Sequence, residues 1–327
     1  MSPEKIDLSV DLAPRRRHHL RLSNPVMIAS GTFGYDGYGR GLTPDMDLSR
    51  LGAVIPKTVT RQPRAGNPEP RWYPPSFRVA REQGECILLN SIGLANPGID
   101  AALTQLAPQW AEWNTTVLLS LSADTVAQFA EMTALAAGVV GFQAIELNLS
   151  CPNVAEGTLF SHSATATAAV VRGVRANTEL PVLVKLSPNV PDITVIARAA
   201  VDAGADALTI CNTNPAMSID VETRQPVLGA ITGGLSGAGL HAIALALVYK
   251  TAQVVDVPII GVGGIFTARD ALEFIMAGAT AVQVGSANLA DLWAPFNILE
   301  ELREFLAYRD IPSLRELIGA AQVKAPV

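Results

Sequence analysis

The residues with the clearest chemical potential follow one another in the run AIELNLSCPN (144–153). Side chains alternate between the two faces of a strand, so Glu146, Asn148 and Ser150 share one face and three apolar residues share the other. A carboxylate and an amide that point into a protein interior need hydrogen-bonding partners, because an unpartnered buried polar group costs free energy. The run therefore predicts a polar site where the strand ends.

Cys151 comes directly after that strand, on a loop of the kind that holds reactive groups. A thiol with a pKa near ~8.5 can remove a weakly acidic C–H proton where water is excluded. The alternative is a small buried hydrophobic residue, as most free cysteines are. Asn148 and Asn153 flank the thiol with hydrogen-bond donors, and this context favours Cys151 as a catalytic base.

Two lysines lie within or at the end of apolar runs, Lys57 in AVIPKT and Lys185 in PVLVKLSPN. Burying an unpaired ammonium group is costly, so such lysines usually pair with an anion. One interpretation is an internal salt bridge, for which Glu146 is available to Lys185 on the neighbouring strand. The other is catalytic: both lysines face a group that becomes negative during turnover.

Two glycine-containing turns point to a phosphate. GVGGI (261–265) and VGSA (284–287) each end a β-branched run. Glycine lets backbone N–H groups approach phosphate oxygens, and a helix that begins nearby favours the dianion. As the seventh and eighth strands of a barrel, these runs would form the usual phosphate site of that fold. The pattern predicts a phosphate ligand without distinguishing a nucleotide cofactor from a sugar phosphate.

Eight short runs supply the strands that would position these residues. They are PVMIAS (25–30), AVIPKT (53–58), TVLLSLS (116–122), AIELNLS (144–150), PVLVKLS (181–187), ALTICNT (207–213), PIIGVGG (258–264) and AVQVGSA (281–287). Helical patterns alternate with the later runs, and two of them, 193–204 and 268–278, end at a glycine as helices commonly do. This alternation implies parallel strands joined by right-handed crossovers.

The fold class that eight such units predict is α/β, a closed (β/α)8 TIM barrel that forms one domain over residues 1–327. A doubly wound open sheet is the competing interpretation, but no G-x-G-x-x-G motif follows an early strand. Two insertions, 60–100 and 213–238, are rich in Gly, Pro, Asn and Arg. Both follow strand ends at the C-terminal face, where active sites of barrels form.

The composition restricts the size of the core, the classes of partner and the expected location. Of the 327 residues 49% are hydrophobic and 17% are charged, which is enough for one large core. The net charge is -6 and the one basic run, 15–19, is short, so neither nucleic acid nor acidic lipid is an expected partner. No signal peptide or membrane span is expected, and the three cysteines fit neither a disulfide framework nor a metal site. A reducing cytoplasm is the expected location.

Nine motifs, taken in order, resemble those of the dihydroorotate dehydrogenase family. They are NPVMIASGTFG, GNPEPR, LLNSIGLANPG, ELNLSCPNV, VLVKLSPNV, NTNPAMSIDVETRQPVL, ITGGLSG, IIGVGGI and VGSANL, which run from about Asn24 to about Leu289. The ETRQP…ITGGLSG stretch is most similar to the soluble NAD-linked subclass (class IB), in its catalytic subunit.

This resemblance implies oxidation of dihydroorotate to orotate in pyrimidine biosynthesis, with FMN as cofactor. It implies that FMN is bound by Ala29, Ser30, Lys57, Thr58, Asn148, Lys185, Cys211 and Gly237, with its phosphate at Gly263, Gly264, Gly285 and Ser286. It implies that the substrate is bound by Lys57, Asn90, Ser91, Ile92, Gly93, Leu94, Asn148, Asn153, Asn212 and Thr213.

In the mechanism that the resemblance implies, Cys151 takes a ring proton and a hydride passes to the flavin N5. Lys185 stabilises the charge that accumulates beside the ring. The membrane-bound class has a serine at the position of Cys151. One position departs from the family: Ser120 stands near the place of an asparagine that contacts the flavin, and its hydroxyl has a shorter reach.

The same subclass works with a second subunit that carries FAD and an iron–sulfur cluster and passes electrons to NAD. This sequence has no cysteine cluster that could hold such a centre itself. The resemblance therefore implies an electron-transfer partner, and a homodimer within a heterotetramer.

Three alternatives stand beside this interpretation. The flavin domain of dihydropyrimidine dehydrogenase also carries NLSCP, but in a much longer chain, and acts on uracil. A phosphate-binding barrel lyase or isomerase would need no flavin and would be colourless. A non-catalytic scaffold would leave inward polar residues with burial costs that no ligand offsets.

Overall fold

The computed structural model describes residues 6–36, 46–82, 84, 86–149, 152–153 and 158–323. Within these ranges eight parallel strands close into a barrel. They are β1 (Val26–Ile28), β2 (Ala53–Val54), β3 (Thr116–Leu121), β4 (Ala144–Asn148), β5 (Val182–Leu186), β6 (Ala207–Ile210), β7 (Ile259–Val262) and β8 (Ala281–Val284). The predicted TIM barrel is confirmed, and each strand lies inside its predicted run.

The barrel closes because each strand pairs with the next along the chain and β8 returns to β1, with Val282 opposite Val26. Parallel pairing places all eight carboxyl ends at one end of the barrel, so residues that follow different strands meet there. β2 is shorter than the predicted run 53–58. Pro56 lies within that run and has no N–H for a sheet ladder.

Helices cover the outside of the barrel. Those of nine or more residues are Val126–Leu135, Ala164–Arg175, Ile193–Asp202, His241–Ala252, Ala268–Met276 and Ala294–Tyr308. Shorter helical segments are Leu48–Arg50, Phe77–Glu82, Ile99–Ala101, Ala102–Leu106, Ala107–Trp110, Ala111–Trp113, Phe160–His162, Ala238–Leu240, Ser286–Ala290 and Leu314–Leu317.

The two helices predicted from their glycine ends form as expected. Ile193–Asp202 begins after Asp192, whose side chain accepts a hydrogen bond from the first turn, and stops before Gly204, which has a φ of 106°. Ala268–Met276 stops in the same way before Gly278, with a φ of 117°. A left-handed residue after the last turn is the conformation that glycine adopts at least cost.

The two polar insertions form a four-stranded antiparallel sheet, here called the covering sheet. Its strands, in spatial order, are Asn214–Ala216, Gly233–Ser236, Leu88–Asn90 and Trp72–Tyr73. Close pairing depends on glycine, because a Cβ at Gly233 would lie 2.4 Å from the carbonyl oxygen of Asn90. Three further antiparallel pairs have strands of two residues each: Val10–Asp11 with Arg21–Leu22, Pro152–Asn153 with Thr158–Leu159, and Ile219–Asp220 with Gln225–Pro226.

The short basic run lies at the amino-terminal end of the barrel. Arg16 donates a hydrogen bond to the Asp206 carboxylate at 2.6 Å, just before β6, and Arg15 pairs with Asp256, just before β7. The run therefore ties the N-terminal hairpin to the strand starts and does not form a free cationic patch. No helix in the described ranges has the length and apolar composition that a membrane crossing needs.

Candidate functional site

A cavity of about 360 Å³ lies between the carboxyl ends of the strands and the covering sheet. All of the following sequence-predicted site residues line it: Ala29, Ser30, Lys57, Thr58, Asn90, Ser91, Ile92, Gly93, Leu94, Asn148, Lys185, Cys211, Asn212, Thr213, Gly263, Gly264, Gly285 and Ser286. The fold thus brings residues from seven of the eight strand ends and from the first insertion together around one cavity.

Two sequence-predicted site residues that the structure describes, Ser120 and Gly237, are not among those that line the cavity. Ser120 is buried beneath it, where its hydroxyl lies 2.9 Å from Thr58 Oγ1 and 3.4 Å from Ser30 Oγ. The Gly237 N–H donates to Ser286 Oγ at 3.0 Å, which places Gly237 behind the glycine turns. Cys151 and the side chain of Asn153 lie outside the described residues.

Lys57 follows β2 by three residues, and its side chain is mostly buried. Burial lowers the pKa of its ammonium group from 10.5 to about 8, and repulsion from Lys185 adds to the effect. Gly31 makes room for the amine, because a Cβ there would lie 3.3 Å from Lys57 Nζ. Two cationic side chains therefore share one cavity in a protein of net charge -6, and an anionic ligand would be stabilised between them.

Lys185 is hydrogen-bonded to the side-chain amide of Gln283, and the salt bridge to Glu146 that the sequence suggested is not found among the described residues. Its Nζ donates to Gln283 Oε1 at 3.3 Å, and Gln283 Nε2 donates to Glu146 Oε2 at 2.6 Å. Among the described residues, no ion pair joins Lys185 to Glu146. The alternation predicted for β4 is confirmed, since Glu146 and Asn148 line the cavity while their neighbours Ile145 and Leu147 are buried in the core.

Side-chain amides form a polar wall above the lysines. Asn212 Nδ2 donates to Asn148 Oδ1 at 3.1 Å, and the Thr213 N–H donates to Asn212 Oδ1 at 2.8 Å. On the opposite side, the loop 90–94 is held by a hydrogen bond of 2.8 Å from Asn67 Nδ2 to Ser91 Oγ. Such convergent donors and acceptors suit a small ring that carries amide groups.

The glycine turns after β7 and β8 meet at one corner of the cavity. Gly264 has a φ of 68°, and a Cβ there would lie 2.8 Å from His241 Cβ and 2.9 Å from the Gly237 carbonyl oxygen. His241 in turn reaches the Glu273 carboxylate at 2.9 Å. The helix after β8, Ser286–Ala290, has only five residues, so backbone N–H groups contribute more to a phosphate site here than a helix dipole does.

The cysteines that the structure describes differ from one another. Cys211 lines the cavity, but burial raises the pKa of its thiol to about 12 despite the positive charge of Lys185. Cys86 is exposed and does not line the cavity. Cys211 therefore does not suit the role of a base that titrates near neutral pH, and Cys86 is not in the cavity.

Sequence reasoning did not assign several residues that the cavity contains. Gly31, Thr32 and Trp72 line it, and Gln283 lies directly below it in β8. The signal for Gln283 was present: it is the one polar residue of the AVQV strand. A polar side chain in a fully buried strand must have a partner, and that partner is the inward acid of another strand.

The sequence profile of a family described as dihydroorotate dehydrogenase matches residues 15–306. Three relatives are each named "Dihydroorotate dehydrogenase B (NAD(+)), catalytic subunit". The protein from Desulforudis audaxviator is 48% identical over 303 residues, which cover 92% of this chain and 95% of that protein. The protein from Geobacter sp. (strain M21) is 44% identical over 321 residues, with 98% and 100% covered. The protein from Desulforamulus reducens is 42% identical over 320 residues, with 98% and 100% covered.

Proposed function

The chain belongs to the dihydroorotate dehydrogenase family, and from this premise we propose that it oxidises dihydroorotate to orotate with FMN as its bound cofactor. One observation supports the proposal above others. A single cavity holds a buried lysine, Lys185, and a mostly buried one, Lys57, together with a wall of amides and two glycine turns. These come from strand ends more than 200 residues apart, as with Lys57 and Gly285.

The residues present fit FMN by three properties. The glycine corner at Gly264 and Gly285 offers backbone to a phosphate where side chains would collide or fill the space. The hydroxyls of Ser30 and Thr58, 2.9 Å apart, form a polar floor for ring heteroatoms. Lys185 provides positive charge at the cavity wall. When bound, FMN would supply the two-electron acceptor that none of these side chains can replace.

The remaining polar residues would hold the substrate. We propose that Lys57 meets the carboxylate, and that Asn90, Asn148 and Asn212 meet the ring amides, with the loop 90–94 closing the side of the cavity. Cys151 would take the ring proton as catalytic base. Asn153 is assigned to the substrate on the same grounds of sequence position.

We also propose a partner subunit. The relatives are named as catalytic subunits of an enzyme whose name includes NAD(+), which supports a second subunit that completes the enzyme. The proposed partner carries FAD and an iron–sulfur cluster and transfers electrons to NAD, and two copies of each chain form a heterotetramer.

The absorption spectrum of the purified chain, before and after dihydroorotate is added, tests the function. We expect the bands of oxidised flavin, which dihydroorotate bleaches and uracil with NADPH does not affect, and NAD reduction only when the partner is added. A colourless protein would contradict the flavin assignment and favour a phosphate-binding lyase or isomerase. A flavin that dihydroorotate cannot bleach would contradict the substrate.

The affinity for orotate is expected to depend on pH through Lys57. A lysine is charged below its pKa, and burial with repulsion from Lys185 lowers the pKa of Lys57 from 10.5 to about 8. The ammonium that attracts the orotate carboxylate is therefore present below pH 8 and lost above it. Titration of orotate between pH 6 and 9 should give a constant Kd at first and then weaker binding, approaching tenfold per pH unit. Lys57→Arg, whose charge persists, should flatten the profile, and a wild-type profile that is flat to pH 9 would refute the assignment.

Gly264→Ala is expected to weaken FMN binding by at least about tenfold. Its Cβ would lie 2.8 Å from His241 Cβ and 2.9 Å from backbone, so the phosphate corner must shift. Gly138→Ala is a matched control, because Gly138 has a φ of 75° against 68° for Gly264 but no atom within 4 Å of the added Cβ. It carries the same backbone strain of about 1 kcal/mol without the collision. Fluorescence titration of the flavin-free variants with FMN measures the difference, and equal affinities in both variants would contradict the phosphate corner.

A further inference from the structure

A buried acid lies at the floor of the cavity, at the centre of the barrel. Glu146 is 0% exposed, and its Oε2 accepts two hydrogen bonds, from Thr209 Oγ1 at 3.0 Å and from Gln283 Nε2 at 2.6 Å. Its other oxygen, Oε1, has no hydrogen-bond partner within the described part of the chain. A buried carboxylate that is half satisfied in this way is costly, so its environment must serve a purpose other than stability.

Gln283 has only one orientation that satisfies both of its contacts. Its Nε2 must donate to the carboxylate of Glu146, so its Oε1 faces Lys185 Nζ, from which it accepts at 3.3 Å. An ammonium group has three donors, and this contact uses one of them. A neutral amide therefore separates an acid from an amine that would otherwise attract each other strongly in a medium of low dielectric constant.

We infer that Gln283 is a positioning residue, which holds the Lys185 ammonium at the cavity wall and prevents it from pairing directly with Glu146. A direct ion pair would neutralise most of the positive field of Lys185 in the cavity. With the amide between them, the positive charge remains directed at the ligand. The inference rests on the proposed function, because its main consequence is a more positive reduction potential for the bound flavin.

If the Gln283 amide is removed, we expect Lys185 to pair directly with Glu146. In Gln283→Met the side chain keeps its approximate volume but can neither accept from Lys185 nor donate to Glu146. Lys185 would then lose its contact with the amide, Glu146 would keep only the hydrogen bond from Thr209, and Glu146 Oε1 is available to the amine. Pairing between them would withdraw positive charge from the cavity. The two-electron reduced flavin would be stabilised about tenfold less, which lowers the potential by about 30 mV.

The test measures the midpoint potential of bound FMN in the holoenzyme with four variants. We expect Gln283→Met to lower it, and Thr209→Val to leave it unchanged, although Thr209→Val also removes one donor from Oε2 of Glu146. Glu146→Gln should not lower it, and the double variant Glu146→Gln with Gln283→Met should lose the decrease seen in Gln283→Met alone. A general loss of packing would affect stability in all variants but would not produce this pattern.

A second measurement needs no flavin. Repulsion from Lys185 contributes to the lowered pKa of Lys57, so pairing of Lys185 with Glu146 should raise the pKa of Lys57 above about 8 in Gln283→Met and not in Thr209→Val. Titration of protein labelled with ¹³C at the lysine side chains reports it. If the wild type holds no flavin, the proposed function fails and this titration still decides the inference. If FMN is bound and neither the potential nor the Lys57 pKa responds to Gln283→Met, the inference alone is overturned.

Discussion

Cys151→Ala is expected to lower the rate of flavin reduction by dihydroorotate by about 10³-fold, while FMN remains bound. A general base contributes about 10²–10⁴ to the rate of a proton transfer, and alanine has no group to accept the proton. Cys151 follows β4 by three residues, and Asn148, the last residue of that strand, lines the cavity. Stopped-flow absorbance of the flavin band measures the reductive half-reaction directly.

The other cysteines provide the controls for this result. Cys86→Ala should leave flavin reduction unchanged, because Cys86 is exposed and lies away from the cavity. Cys211 is no substitute for Cys151, since burial raises the pKa of its thiol to about 12. Cys151→Ser should retain more activity than Cys151→Ala. Near-normal reduction in Cys151→Ala would remove the base assignment.

Lys185→Met is expected to slow flavin reduction by about 10²–10³-fold, with a smaller change in the KM for dihydroorotate. A preorganised charge that meets developing negative charge is worth about 3 kcal/mol in the transition state. The side chain is only 6% exposed and is fixed by Gln283 at 3.3 Å, so its charge is in place before reaction.

A control variant and a measurement of the midpoint potential show whether the effect of Lys185→Met comes from its charge in the cavity. Lys250→Met, at an exposed position on the helix His241–Ala252, removes the same charge outside the cavity and should have no effect. The midpoint potential should fall in Lys185→Met and stay constant in Lys250→Met. A Lys185→Met enzyme with a normal rate of flavin reduction would show that the charge is not used in the chemical step.

The barrel could be predicted because each strand lies in a short apolar run, and most of these runs have glycine or proline within or beside them. Runs such as PVLVKLS contain their strand completely, here Val182–Leu186. The covering sheet could not be predicted in the same way. Its strands have two to four residues and include Gly233 and Gly234, so they lack the composition of a strand and depend on one another for pairing.

The residues of the cavity wall were largely predictable, but the contacts beneath it were not. Polar residues at strand ends point to the same end of a barrel, which is why Lys57 and Asn212 share a cavity. Depth within the barrel is not visible in a sequence. Ser120 is buried and bonded to Thr58 Oγ1 at 2.9 Å, and Gln283 links Lys185 to Glu146; neither contact is visible in the sequence.

The covering sheet has a consequence for how the protein matures. Asn90 and Gly234, which are bonded across it, are 144 residues apart in sequence, so bringing them together costs more loop-closure entropy than pairing neighbouring strands. The covering sheet is therefore expected to form after strands that are close together in sequence have paired. Because residues of the covering sheet line the cavity, we expect the closed sheet to slow the exchange of a bound ligand with solvent.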